Sequence, residues 1–170
     1  EKKPVTLYQY ASSLLSMQAS KYYMTEFSGE WAHEVSMTEQ ELSFGKKMVD
    51  TKLGSRAGML CSPFFLVSLN DKAKENSGDV LFGTLAWTGN FRFTFEVDNH
   101  NKLRILSGIN PYASEYTLKP GEVFATPEFI FTYSTEGKGK ASRDFHSWAR
   151  KYQLKDGEGS RMSLLNNWEA

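Results

Sequence analysis

An all-β fold, with antiparallel sheets packed as a sandwich and one helix near the C-terminus, is what three features of the sequence predict. Short runs of alternating apolar and polar residues recur through most of the chain. Glycine and proline punctuate them at intervals that suit antiparallel connections. A single stretch carries a helical period instead, and it lies late in the chain.

The elements follow in order. Thr6-Leu7-Tyr8-Gln9-Tyr10, Tyr22-Tyr23-Met24-Thr25-Glu26-Phe27 and Trp31-Ala32-His33-Glu34-Val35-Ser36-Met37 alternate with period two, as half-buried strands do. Gly29, Gly45 and Gly54 punctuate this part of the chain. Pro63-Phe64-Phe65-Leu66-Val67-Ser68-Leu69 is continuously apolar, which predicts an interior strand with proline at its first position. The polar stretch from Asn70 to Asp79 reads as a solvated hairpin loop. Val80 to Trp87 and Asn90 to Val97 are β-rich runs about Thr88-Gly89, and the turn Asp98-Asn99-His100-Asn101 leads into Leu103-Arg104-Ile105-Leu106. Pro120-Gly121 is a further turn signal before Phe129-Ile130-Phe131-Thr132-Tyr133.

The helix is expected between Ser142 and Tyr152, where Phe145, Trp148, Ala149 and Tyr152 recur at spacings of three and four. Ser142 is its expected N-cap and Gly139 the break before it. Lys155-Asp156-Gly157-Glu158-Gly159-Ser160 reads as an exposed linker, and the run from Met162 to Trp168 as the start of a new strand. No repeat of 20 to 50 residues emerges.

Composition bounds the function. A chain of 170 residues suits one domain with a sizeable core. Its 20 acidic and 20 basic side chains cancel, so no long-range field would gather nucleic acid or an anionic membrane, and a neutral or weakly polar partner fits better. No stretch of 18 apolar residues exists to span a bilayer, and a soluble chain is expected. The single cysteine, Cys61, excludes an internal disulfide and any multi-cysteine metal site. Opening on Glu1-Lys2-Lys3-Pro4 and closing on Asn167-Trp168-Glu169-Ala170, the sequence reads as cut at both ends from a longer polypeptide.

Catalytic signatures are missing: there is no G-x-S-x-G elbow, phosphate-binding glycine loop, H-E-x-x-H helix or dinucleotide fingerprint. His33, His100 and His146 lie far apart along the chain, and a metal would need them to converge with a carboxylate. No metal, no cofactor and no catalytic residue is therefore assigned. The carboxylate pairs Glu39 with Glu41 and Glu26 with Glu30 are read as solvated surface charge. Of the tryptophans, Trp31 and Trp148 fall in apolar patterns and are expected in the core. Trp168 stands among Asn166, Asn167 and Glu169, a dense set of hydrogen-bonding groups, and is the candidate for sugar contact, because sugar C–H faces pack on aromatic rings.

The order of several motifs resembles family-36 glycoside hydrolases, the α-galactosidase and raffinose-type family. They are Gly29-Glu30-Trp31-Ala32-His33-Glu34, Gly54-Ser55-Arg56-Ala57-Gly58 with Pro63-Phe64, and Trp87-Thr88-Gly89-Asn90-Phe91. Then come Gly108-Ile109-Asn110-Pro111, Leu118-Lys119-Pro120-Gly121-Glu122-Val123-Phe124-Ala125-Thr126-Pro127-Glu128, Tyr133-Ser134, Phe145-His146 with Arg150, and Leu165-Asn166-Asn167-Trp168-Glu169-Ala170. Met59-Leu60-Cys61-Ser62 departs from the pattern, since the family often carries histidine or other polar residues there.

The resemblance implies a supersandwich-type domain incomplete at its start over residues 1–155. Residues 156–170 would then be a linker and the first strand of a (β/α)8 barrel that lies outside this chain. It implies retaining hydrolysis of terminal α-galactosyl groups by two barrel aspartates, neither of them in this chain, so the chain alone is expected to be inactive. The expected partners are an α-galactoside held by the barrel, the barrel itself, and further copies of the parent in a homo-oligomer. Trp168 is the residue the resemblance carries over as substrate-binding. Two alternatives have other signatures. A free-standing carbohydrate-binding module should not end in a barrel-strand sequence, and a mutarotase-like enzyme would need His33 or His100 paired with a glutamate as acid and base.

Overall fold

The computed structural model describes residues 3–8, 11–52 and 61–165. Its strands are β1 (Val5–Leu7), β2 (Ala11–Gln18), β3 (Tyr22–Glu30), β4 (His33–Leu42), β5 (Gly45–Asp50) and β6 (Phe64–Leu69). They continue as β7 (Asp79–Leu85), β8 (Phe91–Val97), β9 (Lys102–Ile109), β10 (Tyr116–Leu118) and β11 (Phe129–Ser134). One α-helix, α1 (Gly137–Trp148), runs into a π-type turn over Ala149–Gln153. A five-stranded sheet, in the order β11-β7-β6-β3-β4, faces a four-stranded sheet, in the order β2-β9-β8-β5, and β1 pairs separately with β10. Every strand pairing within these sheets is antiparallel.

The period-two pattern puts alternate residues on opposite faces, and β8 shows the result. Phe91, Phe93, Phe95 and Val97 point into the sandwich and are buried, while Arg92, Thr94 and Glu96 point outward. Phe65 on the facing sheet meets Phe93 and Phe95 edge-on, with ring centroids 5.1 and 4.8 Å apart, the arrangement that aromatic quadrupoles favour. Tyr22, Met24, Leu103 and Ile105 complete the middle of this core. Gly83 is required there, because a Cβ would stand 2.7 Å from Phe65 Cζ and 2.8 Å from Phe129 Cζ.

The expected interior strand is β6, third of five in its sheet, and Asn70 to Asp79 forms the loop of the β6–β7 hairpin. The two runs about Thr88-Gly89 do not pair with each other. β7 ends in the larger sheet and β8 opens in the smaller, so the segment between them crosses the sandwich.

Helix α1 differs from expectation at its start. It begins at Gly137, five residues before Ser142, with no side-chain cap. The hairpin loop supplies what a cap residue would: Gly137 N–H donates to Gly78 O, Lys138 N–H to Lys74 O and Gly139 N–H to Glu75 O, at 2.9 to 3.0 Å. These are the donors that a helix leaves unpaired at its N-terminus. Gly137, at φ +84°, lies so close to the loop that a Cβ would meet Lys74 O at 2.4 Å. Gly139 is thus inside the helix, and the first turn is fixed by a contact distant in sequence. The apolar spacing holds at Phe145, which stacks on Phe82 with centroids 4.1 Å apart, while Tyr152 falls in the π-type turn and is exposed.

The acidic pairs are not simply solvated. Glu39 on β4 accepts from the Lys138 ammonium on α1 and lies 3.3 Å from Lys72 Nζ on the hairpin loop, joining three elements. Glu26 accepts from Lys47 Nζ and Gln40 Nε2, each at 2.9 Å. Burial pushes the Glu39 carboxyl up, but the hydrogen bonds and charges of Lys138 and Lys72 outweigh it and hold the carboxyl below the ordinary glutamate range. The folded state therefore binds this proton more weakly than the unfolded chain, so the contribution of Glu39 to stability is present above its unfolded pKa. It is lost as pH falls through the lowered one. In Glu39→Gln that component should vanish, and urea midpoints followed from pH 7 into the acid range should fall less steeply than in the parent sequence. Parallel curves would contradict this.

Candidate functional site

The most exposed tryptophan among the described residues is Trp31, at 81%. Expected in the core, it instead occupies the turn between β3 and β4. Strand β3 ends at Glu30, which pairs with His33 and leaves Trp31-Ala32 as a two-residue tip. A register irregularity between Ser28 and Glu30 precedes the tip. Ala32 and Val35 have φ of +59° and +56°. The left-handed region is unfavourable for any side chain and most of all for a β-branched one. Such strain gathers where the surroundings hold a residue in place for a purpose.

Glu30, Trp31, His33, Glu34 and Val35 are all exposed on this tip. The tip thus exposes an indole, with two carboxylates and an imidazole within three residues of it in sequence. That chemistry suits an apolar C–H surface edged with hydroxyls, as on a pyranose ring.

The remaining sequence candidates separate in space. His100 lies in the β8–β9 turn of the smaller sheet, His146 on α1 and His33 at the β3–β4 tip. No group of three or more histidine, cysteine, aspartate or glutamate side chains that could hold a metal forms among the described residues. Cys61 is buried, its thiol donates to Asp50 O at 3.1 Å, and burial pushes its pKa up, away from a reactive thiolate. Trp148 is half-buried and meets Phe145 edge-on at 6.2 Å. Trp168, with Asn166, Asn167 and Glu169, lies outside the described residues. The run 160–165 forms no strand in this chain, and Met162, Leu164 and Leu165 are almost fully exposed.

Several motif residues prove to be structural. Asn110 is buried and its Nδ2 donates to Thr51 O at 3.0 Å and Asp50 Oδ2 at 3.2 Å, tying the end of β9 to the end of β5. Asn90 O accepts from Asn110 N–H at 3.0 Å, and Gly89 leaves room for the Trp87 indole, whose Nε1 a Cβ would meet at 2.7 Å. Lys119-Pro120-Gly121-Glu122 is a tight turn with Gly121 at φ +82°, closed by Glu122 N–H donating to Lys119 O at 3.1 Å.

These features coincide with one family of enzymes. The sequence model described as the glycosyl hydrolase family 36 N-terminal domain matches residues 1–119. "Alpha-galactosidase 2" of Hypocrea jecorina is 31% identical over 97% of this chain, and "Alpha-galactosidase 2" of Pediococcus pentosaceus 33% over 94%. The solved structure of the family-36 α-galactosidase AgaA from Geobacillus stearothermophilus in complex with stachyose superposes over 99% of this chain, with a TM-score of 0.90 and 27% identity. The chain belongs to glycoside hydrolase family 36, as part of its N-terminal region. It spans 22% of the length of both relatives and 24% of the AgaA chain.

Proposed function

We propose that this chain is the later part of the N-terminal sandwich of a retaining α-galactosidase, supporting and partly walling its sugar site without turnover of its own. The observation that carries the reading is coverage: almost the whole chain aligns with enzymes named α-galactosidase while accounting for under a quarter of each. The chemistry then falls to the remainder of the parent. Two aspartates of its barrel would act as nucleophile and acid/base on terminal α-galactosyl groups. Residues 156–170 would form the linker and first barrel strand, and Trp168 would stack on the sugar. The same resemblance implies a homo-oligomeric parent.

The Trp31 tip is this domain's own contribution to the wall of the site. In the parent, Trp31→Ala should raise KM for a galactosyl oligosaccharide by about threefold to tenfold, since a stacked ring assists binding without touching the reacting bond. Because the side chain is exposed, the melting temperature should not move. Unchanged kinetics on both a nitrophenyl galactoside and a trisaccharide would remove Trp31 from the wall and leave it a bare hairpin tip.

A further inference from the structure

The strand register puts an ordered pattern on the outer face of the four-stranded sheet. Leu14 on β2 pairs with Leu106 on β9, Leu106 with Thr94 on β8, and Thr94 with Met48 on β5. Residues paired directly across strands share one face of a sheet. Their chain neighbours Leu15, Ile105, Phe93 and Val49 belong to the core or pack against it, so these four side chains point outward. They form a single row across all four strands, apolar but for the Thr94 hydroxyl, with Leu14 59% and Met48 57% exposed. Helix α1 packs on β7 and β11 of the other sheet, not here.

Charged rows flank the apolar one on both sides. Two residues along each strand in one direction stand Arg104, Glu96 and Lys46, again in register. Lys46 Nζ lies 2.7 Å from Glu96 Oε1, and Arg104 Nη2 lies 3.2 Å from Glu96 Oε2. Two residues along in the other direction stand Gly108, Arg92 and Asp50, with Arg92 Nη2 2.8 Å from Asp50 Oδ2. An apolar centre edged by charge is the usual build of a protein interface.

We infer that this face joins two copies of the parent, packed sheet to sheet about a two-fold axis that runs along the apolar row. The placement of charge selects that occupant. Such an axis sets each residue of the row against its own copy and exchanges the two flanking rows. Lys46 then meets Asp50 of the second copy, and Glu96 meets Arg92 of the second copy, each contact repeated by the symmetry. Both pairings are opposite in sign. Sheets packed face to face stand about 10 Å apart, a gap that long charged side chains on both surfaces can span. A face of one sign could not meet itself in this way. The apolar row supplies the buried centre, while the charges fix orientation more than they add affinity. The inference rests on the reading of the parent as a homo-oligomer and gives that assembly a surface.

Cysteine crosslinking in the parent tests it, because residues on the axis meet themselves. Met48→Cys and, separately, Leu14→Cys should each give a covalent dimer under mild oxidation, with the link mapped by peptide mass spectrometry to the substituted position in both copies. The unsubstituted parent should give none. As a second measurement, Leu14→Lys combined with Met48→Lys buries like charges against each other and should raise the dissociation constant of assembly about a hundredfold in analytical ultracentrifugation. Both positions are exposed, so circular dichroism should show the fold kept. The proposal requires both results. A multimeric parent in which either cysteine fails to link to its own copy, or which assembles unchanged with both lysines, overturns the surface and leaves the homo-oligomer standing. A link from either position to another part of the parent assigns the face to that part and equally overturns it. A parent that sediments as a monomer at every concentration overturns the surface and the homo-oligomer together, whether or not it hydrolyses an α-galactoside.

Discussion

Phe93→Ala should destabilise the chain by about 3 to 5 kcal/mol, the usual cost of truncating a buried phenylalanine where the surroundings relax only in part. Phe93 is fully buried, and its ring lies 5.1 Å from both Phe65 and Phe91. Neither neighbour can close the gap cheaply, because Phe65 is also held by Phe95 and Phe129 across and along the sheets. A domain of this size has about 5 to 15 kcal/mol in total, so the variant should sit near the edge of folding at 37 °C. Urea unfolding of the variant and the parent sequence measures the difference. A midpoint within experimental error of the parent sequence would mean that the sandwich interior does not pack through this aromatic cluster.

The second large effect is expected at Trp168 in the full parent enzyme. An aromatic face on a sugar helps by removing C–H surface from water, and the gain depends on polar neighbours holding the hydroxyls in register. Trp168→Ala should lower kcat/KM by about tenfold to a hundredfold, or about 1.4 to 2.7 kcal/mol of lost transition-state binding. In the isolated chain the same change should leave sugar binding undetectable before and after, because Asn166, Asn167 and Glu169 alone cannot fix the sugar. A lowered melting temperature with normal kinetics of the folded fraction would make Trp168 a packing residue of the first barrel strand instead.

Strands were legible where period-two alternation coincided with burial on one face, as in β8, and where a continuous apolar run marked the central strand β6. The helix start was not, because its first N–H groups are satisfied by Gly78, Lys74 and Glu75 of a loop about sixty residues earlier, as the bonds to Gly137, Lys138 and Gly139 show. No local cap residue could have announced that contact. The burial expected of Trp31 fails for a related reason. Alternation continues through a hairpin tip as readily as through a sheet, and only the pairing of Glu30 with His33 reveals that the strand has turned. The available signal is the polar sequence company of Trp31, with Glu30, His33 and Glu34 flanking it, the same logic that singles out Trp168. Pairing of Glu39 with Lys138, ninety-nine residues apart, is likewise a tertiary fact that no spacing rule encodes.

The central claim is that this chain serves an α-galactosidase without performing its chemistry, and hydrolysis of nitrophenyl α-galactoside by the parent and by the purified 170-residue chain tests it most directly. Turnover is expected from the parent and none above buffer from the chain, since both catalytic aspartates would belong to the barrel. Turnover by the chain that survives purification and disappears with a point substitution within it, or a folded parent that leaves the substrate intact, would contradict the account.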